Sequence, residues 1–479
     1  MSKIVLIEPQ APNLHIFSQF PLPRLGVLIL GTMMKERGWE VEVYVEDLRR
    51  IDFGAIATSD LVGISTITST APRAYAIADR VRGMGIPVLM GGPHVTFLID
   101  EALEHADFVI RGEGERPLMQ FIDARESGGS LSVVPSLSYR DSDGRIVHNP
   151  MLAVEKNLDA IPYTDFTLLK PDPRRQKFVP PIPVQTSRGC PFDCSFCSVT
   201  GMFGKKYRFR STANIIEELR RYDHPKSSVF FYDDNFAANR EHTKELLQAM
   251  IRERFRFQWT TQVRADIARD VELVRLMKKA GCHTVYIGFE SVNPRSLDSM
   301  KKKQTVADLV QAAKVLRRNR LHIHGMFVLG FDDDDWQSVR KTVKFAKKVR
   351  LSTTQFLILT PLPGSEFFDK MASENRLQFH DWSLYDAHHV VFRPARFSLF
   401  DLQKAQMFCH KKFYSLKQMT GKLLAGQWLS VGVAHYARKL NRMWAKRNKT
   451  FLAAISLLKP RKNMTISVDY RENVNLDGR

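Results

Sequence analysis

Acidic residues are missing altogether from one long stretch of this chain, and cysteine is scarce throughout it. The 479 residues include five cysteines, too few and too uneven for a disulfide scaffold, so a reducing compartment is expected. Long apolar runs are absent too: the longest, at 25–34 and 451–458, reach about half of the ~20 residues needed to cross a bilayer. That argues against a spanning helix and leaves surface attachment open. The opening Met1-Ser2-Lys3, followed directly by Ile4–Ile7, lacks the zones of an export signal. A cytoplasmic protein is expected, with peripheral contact at the inner membrane face as an option. With 44% hydrophobic and 25% charged residues, the composition excludes disorder and fibrous architectures.

What is present is strand and helix in alternation. In residues 1–128, apolar runs at 4–7, 41–45, 61–67, 88–90 and 108–110 are separated by helix-length segments. Strands apolar on both faces predict a doubly wound, Rossmann-like parallel sheet. Two Gly-rich turns, Gly91-Gly92-Pro93-His94 and Arg111-Gly112-Glu113-Gly114-Glu115, fall at strand carboxyl ends, where such folds bind ligands. Residues 129–182 read as a linker with a hairpin around Asp141-Ser142-Asp143-Gly144 and a stretch rich in proline (Pro171, Pro173, Pro180, Pro181, with Pro183 just beyond). From 183 to 375, six βα-like units make three quarters of an eight-stranded barrel. Its reactive groups are expected on loops after the strand carboxyl ends. Residues 376–479 read as a basic, mostly helical region.

Lys plus Arg exceed Asp plus Glu by 20, and 14 basic residues with no acidic one lie between Leu402 and Val468. Within that stretch Leu429, Val433, Tyr436, Leu440 and Met443 recur at helical spacing, with Arg438 and Arg442 on the opposite face. Three uses compete: an anionic membrane surface engaged by residues 402–468, a helix docked on the barrel with solvated cations, and RNA. The membrane is the favoured partner. Nucleic acid is not expected, because no appended RNA-binding domain is visible.

The chemistry concentrates in Cys190-Pro191-Phe192-Asp193-Cys194-Ser195-Phe196-Cys197, directly after the first barrel strand. Three thiolates in eight residues suit a soft metal, iron–sulfur above all. A four-iron cluster with three cysteine ligands leaves one iron open to a substrate or cofactor. Cys282 and Cys409 stand alone and read as small buried hydrophobes. The run Asp332–Asp335 reads as a helix cap aided by the helix dipole, with no metal assigned.

Cys190, Cys194 and Cys197, with Phe196 before the last cysteine, resemble the motif of the radical S-adenosylmethionine (SAM) superfamily. The first domain, with its two Gly-rich turns, resembles the cobalamin-binding domain preceding the barrel in the B12-binding subfamily. Together the resemblance covers residues 1–375. It implies an oxygen-sensitive enzyme in which SAM chelates the open iron and a donor such as flavodoxin or ferredoxin reduces the 4Fe–4S cluster. One electron then cleaves SAM to a 5′-deoxyadenosyl radical that takes hydrogen from an unactivated carbon. In methylating relatives methylcobalamin supplies the methyl group.

The same resemblance implies SAM-binding roles for Phe196, Arg264, Glu290, Met326 and Phe327, with Cys190, Cys194 and Cys197 on the metal. Structural alternatives stand beside these: an ion pair for Glu290, a structural arginine at 264, core packing for Met326 and Phe327. Tyr232-Asp233-Asp234-Asn235 is similarly placed after the second strand, with a helix-cap reading for Asn235, and Pro361–Gly364 closes the sixth unit. Gly91, Gly92, Pro93, His94, Gly112, Glu113 and Gly114 are implied for cobalamin. No Asp-x-His-x-x-Gly occurs and neither His94 nor His105 supplies it, so cobalt would lack that histidine; a domain kept as scaffold without cobalamin is the alternative. The expectation is a cobalamin-dependent methyltransferase acting on an unactivated carbon of a small or lipid-like metabolite. Its rivals are radical rearrangement, cyclisation or ring formation without methyl transfer, and a SAM- or cobalamin-binding sensor.

Overall fold

A computed structural model describes residues 1–13, 22–169, 181–424 and 428–458. Pro171, Pro173 and Pro180 of the Pro-rich stretch, and the cations Lys459, Arg461 and Lys462, lie outside the described residues. Strands β1 (Lys3–Glu8), β2 (Glu40–Val45), β3 (Leu61–Ser65), β4 (Val88–Gly91) and β5 (Phe108–Ile110) form a parallel sheet in the order β2-β1-β3-β4-β5. All six residues of β1 are buried. Val5 and Ile7 enter one helix-covered core while Ile4 and Leu6 enter the other, the pattern that forces a sheet between two helical layers. In this strand order the crevice between β1 and β3 is the switch point where doubly wound sheets bind ligands.

The hairpin expected in a linker belongs instead to this sheet. Strands β6 (Leu137–Arg140) and β7 (Ile146–His148) extend it antiparallel beyond β5, with Ile110 opposite Leu137. The Asp141 carboxylate closes the turn by accepting from the amides of Asp143 and Arg145. Leu137 and Ser138 are buried, so hydrophobic burial places the hairpin with the first domain.

The second sheet is the partial barrel. Strands β8 (Ile182–Val184), β11 (Ser228–Phe231), β12 (Gln258–Val263), β13 (Cys282–Glu290), β14 (His322–Leu329) and β15 (Thr353–Ile358) pair in parallel in that order. A two-stranded clip, β9 (Ser187–Arg188) with β10 (Arg208–Phe209), brackets the cysteine loop. One continuous core joins the outer face of this barrel to the helices Leu399–Phe413, Trp428–Arg447 and Lys449–Leu457. The basic region is therefore docked on the barrel through its apolar side. No helix among the described residues is long and apolar enough to cross a membrane.

Candidate functional site

The cysteine loop is rooted by Asp233. The amides of Thr186 and Ser187 and both their hydroxyls donate to its fully buried carboxylate at 2.6–2.9 Å. Burial nevertheless dominates and pushes the Asp233 carboxyl up to about 6. Asp234 is exposed, and the surrounding protein together with the charge of Asp233 pushes its carboxyl up to about 7. At the loop entry Gly189 has φ +83°, and a Cβ there would lie 2.7 Å from the Lys206 carbonyl oxygen. Only glycine fits this approach.

Cys190, Cys194 and Cys197 are half-buried free thiols. Burial raises Cys190, with the charges of Asp234 and Cys194 adding to it. It pushes Cys197 up to about 12, with Cys194, Asp234 and Cys190 contributing. The three thiols thus feel one another and an acid, with the Arg264 charge opposing them at Cys190. Among the described residues no three His, Cys, Asp or Glu side chains converge closely enough to hold a single metal ion. An iron–sulfur cube needs no such convergence, because each thiolate takes a different iron. The loop fits that group.

Arg264, the residue after β12, backs the loop. Its guanidinium lies 3.7 Å from the centroid of the Phe192 ring, Nη1 is 3.9 Å from Cys194 Sγ, and Nη2 donates to the Lys302 carbonyl at 2.5 Å. The guanidinium expected to meet SAM is thereby shared between the cysteine loop and the Lys302 carbonyl, with Nε buried and without a hydrogen-bond partner. Phe196 turns toward the barrel core and meets Phe331 edge to face at 6.2 Å. Glu290 sits at φ +57° with Oε1 2.8 Å from Lys302 Nζ, both side chains buried. Gly288 makes that pairing possible: a Cβ there would fall 2.2 Å from Glu290 Oε1. Sequence reasoning missed Lys302, which follows a left-handed Lys301 and precedes a left-handed Lys303; a run of three lysines carries no local sign that the middle one is buried.

Met326 and Phe327 separate. Met326 lies level with Gly288 and Gln355 across the sheet. Phe327 corrects its expected role: it is fully buried on the opposite, helix-covered face, stacked between Phe289 and Phe356 with centroids at 5.5 Å and meeting Phe345. It cannot reach SAM in the lumen because the strand's alternation turns it outward.

In the first domain Gly92 has φ +104°, and a Cβ would lie 2.4 Å from the Thr66 carbonyl oxygen, so the Gly91-Gly92 turn needs glycine to pass the end of β3. Pro93 opens the short helix Pro93–Phe97. His94 is turned inward rather than to the carboxyl edge: it is fully buried, with Nε2 3.1 Å from the Tyr75 hydroxyl and 3.5 Å from Glu101, and its ring meets Trp382 edge on. Its expected cofactor contact is corrected on that ground. His105 pairs with Asp79.

The second Gly-rich turn is a joint between domains. Gly112 donates its amide to Thr96 Oγ1 and Gly114 packs beside Leu30. Glu113, expected on the cofactor, is instead held by Arg208 at 2.6 and 3.0 Å. Glu115 takes Arg188 at 2.6 Å; burial pulls its carboxyl up, yet the Arg188 charge prevails and holds it below the usual range. Arg188 immediately precedes Gly189-Cys190, so the turn reaches the root of the cysteine loop. The Phe97 ring lies against Gly201 and Gly364, tightly enough to exclude a Cβ at either.

At the switch point, Arg24 Nε is 3.1 Å from Glu8 Oε1, but its Nη1 and the neighbouring Thr66 Oγ1 are buried without a partner. Tyr232 of the barrel feels the charges of Glu8 and Arg24, so both domains border this crevice. Orphaned buried donors at the ligand edge fit a polar, amide-bearing cofactor such as cobalamin. Neither Arg24 nor Thr66 carries a motif that would have marked it in the sequence. Elsewhere Asp335 caps the helix Trp336–Lys348, Asp334 accepts from the Gly330 and Phe331 amides, and Asp332 pairs with Arg376 and Lys370. Asn239, not Asn235, caps the helix Arg240–Glu253. Cys282 and Cys409 are buried, their thiols raised by burial.

Family models of the radical SAM superfamily and of the B12 binding domain match residues 184–346 and 17–122 respectively. The chain is 33% identical to an uncharacterised methyltransferase of Pyrococcus horikoshii over 82% of its own length and 88% of the relative's. It is 31% identical to bacteriochlorophyllide d C-12(1)-methyltransferase of Chlorobaculum tepidum, covering 80% of this chain and 81% of that one. Among solved structures it superposes, with a TM-score of 0.65 and 20% identity, on the radical SAM methyltransferase TsrM of Kitasatospora setae with cobalamin and a 4Fe–4S cluster bound, over 78% of this chain and 76% of that one.

Proposed function

This chain belongs to the radical SAM superfamily, in the branch with a B12-binding domain ahead of the barrel, and from that premise we propose that it methylates an unactivated carbon of a small or lipid-like metabolite. The cofactors that go with this membership are a 4Fe–4S cluster, SAM and cobalamin. When bound, they supply one-electron cleavage of SAM and delivery of a methyl group. Cys190, Cys194 and Cys197 would hold the cluster. Asp233 fixes the root of their loop, and Arg264 places a permanent positive charge beside Cys194. Glu290 and Met326 would border SAM, with Lys302 as the counter-charge of Glu290. Gly91, Gly92, Arg24 and Thr66 would border cobalamin at the switch point, and the joint made by Glu113, Glu115 and Phe97 keeps that crevice against the cysteine loop.

The observation that carries the reading is the three-thiol loop clamped between the barrel and a first domain whose ligand edge bears unpartnered buried donors. A one-electron donor of the flavodoxin or ferredoxin class would serve it. Anaerobically reconstituted protein should show iron, sulfide and cobalt, and should release 5′-deoxyadenosine on reduction. Cys194→Ala should abolish that release, and retained cleavage would overturn the ligand assignment. Product mass decides the reaction: a gain of one methyl group supports transfer, while an isomer or a hydrogen-depleted product supports rearrangement or cyclisation.

A further inference from the structure

Most large apolar side chains left exposed in the described residues are scattered singly, as on any protein surface. One group is not. None of the helix Leu416–Leu424 is buried; Leu416, Leu423 and Leu424 are 63%, 40% and 89% exposed, and Trp428, at the start of the next helix, is 71% exposed. Leu416 and Leu423 stand two turns apart on one face, with Leu424 beside them. Met419 leans on the protein core. The helix is seated along one edge and presents the other.

The helix Trp428–Arg447, whose amphipathic pattern predicts membrane contact, does the reverse. Its buried line is Ala434, Ala437, Leu440 and Trp444; of the stripe that carries the expectation, Leu440 is buried and Val433, Tyr436 and Met443 are half-buried, so the helix serves to dock the region on the barrel. The apolar surface left most exposed belongs to the preceding helix and to Trp428 at the start of this one.

The charge carried by this stretch of chain has one sign. Lys411, Lys412 and Lys417 are exposed, and Lys422 reaches back to donate to the Ser352 carbonyl at 3.0 Å. Lys347 comes close enough to Lys412 and Lys417 that, after burial, their charges also depress its pKa. The sequence from 402 to 468 holds no acidic residue to compensate them. Leucines and a tryptophan framed by mutually repelling lysines match an interfacial helix on an anionic leaflet, where the ring sits at headgroup depth and the ammonium groups meet lipid phosphate.

The geometry points to Leu416, Leu423, Leu424 and Trp428, with the lysines around them, as a docking surface for an anionic lipid bilayer. This holds independently of the methyl-transfer reading. It also orients the molecule. Ser352 precedes β15 and so lies at the amino ends of the barrel strands, whereas the cysteine loop follows the carboxyl end of β8. The bilayer grips the end remote from the cysteines, and the reaction site faces away from it.

The full chain is to be sedimented with vesicles of phosphatidylcholine alone or mixed with phosphatidylglycerol, at low and high salt. Expected are binding to the anionic vesicles that salt weakens and a blue shift of tryptophan emission that Trp428→Phe abolishes. Leu424→Glu combined with Trp428→Glu should lower the bound fraction to that seen with phosphatidylcholine alone. Val133→Glu, at an exposed position of the first domain, should leave it unchanged, and circular dichroism should show both variants folded. Undiminished binding by the double variant overturns the proposal. So does a dimer in analytical ultracentrifugation that the double variant makes monomeric while neither form binds vesicles, which would assign the stripe to a second copy of the chain.

Discussion

Met326 and Phe327 are consecutive in β14, and the strand's alternation of side chains sends one to the lumen and the other into the ring stack with Phe289 and Phe356. Phe327→Ala should therefore cost about 3–5 kcal/mol in urea denaturation and leave SAM affinity of the folded fraction unchanged. Met326→Ala should cost at most about 2 kcal/mol, because its partly exposed side chain leaves little cavity, and should weaken SAM binding in calorimetric titration. The alternation was legible in the sequence; its phase was not, because a family segment marks a strand without saying which of its faces is inward. Asp233 shows a second limit. Its four donors come from Thr186 and Ser187, 47 and 46 residues away, so no local pattern announces the clamp. Asp233→Asn can keep all four contacts, Oδ1 accepting from the two amides and the Ser187 hydroxyl while its amide NH2 donates to the Thr186 hydroxyl, but it removes the charge that strengthens them. It also removes a titration. The Asp233 pKa is raised from its ordinary range to about 6 in the folded protein, so the folded state holds the proton more tightly. The carboxyl therefore destabilises the fold as pH rises from about 4 to 6, by about 3 kcal/mol in all. Urea midpoints across that window should fall less steeply for the variant than for the parent.

An open sheet of six parallel strands has two edges, and β15 is one of them. Its outer groups are not left for another chain to pair with. Gln406 donates to the Phe356 carbonyl at 3.0 Å, His410 Nε2 lies 3.1 Å from the same oxygen, and the Tyr414 hydroxyl both donates to the Thr354 carbonyl and accepts from the Thr354 amide. These three residues are spaced by four, so one face of the helix Leu399–Phe413, continued to Tyr414, replaces a seventh strand. The spacing stands in the sequence, yet the surrounding lysines draw the reading toward charge, and a polar stripe reads as solvent-facing until its partner strand is known. The hairpin at 137–148 failed similarly: its turn was legible from Asp141 and Gly144, while its pairing with β5 depends on a contact outside the segment. Burial lowers the pKa of His410 to about 4. Its neutral form is thus favoured on folding, and the stability it contributes above about pH 6.5 is lost as pH falls to about 4, about 3 kcal/mol in total. His410→Gln keeps a hydrogen-bonding side chain without the titration. Its stability should fall less than the parent's between about pH 7 and about pH 4.5, as read from urea midpoints at the two values.

The first domain is tied to the rest of the chain at two places: Trp382 packs on its core and donates to Glu101, and its second Gly-rich turn meets the root of the cysteine loop. The Gly112–Glu115 turn was recognisable as a ligand-edge turn, but the arginines that its carboxylates take lie 73 and 95 residues onward, and a single sequence does not pair them. Arg188, Arg208 and Glu113 keep less than a tenth of their side-chain surface exposed. Such pairs are costly to break from one side, because the partner left behind is a buried charge without compensation, at about 3–5 kcal/mol. Glu113→Ala should therefore weaken the joint more than either core, since the apolar contacts of the sheet and of the barrel are untouched. Calorimetry should show the parent's unfolding separating into an earlier and a later transition, with Glu113→Gln intermediate because it still accepts a hydrogen bond from Arg208. Raising the salt concentration should leave the parent's transition nearly in place, as buried charges are screened far less than exposed ones. If Glu113→Ala unfolds in one transition at the parental midpoint, the arginines find equal partners elsewhere, and the two domains are held by the Phe97 wedge between Gly201 and Gly364 and by Trp382 on the first-domain core. Because Arg188 adjoins Gly189-Cys190, a loosened joint should also lower the iron taken up on anaerobic reconstitution. That loss would be absent if the turn only glued two independent domains.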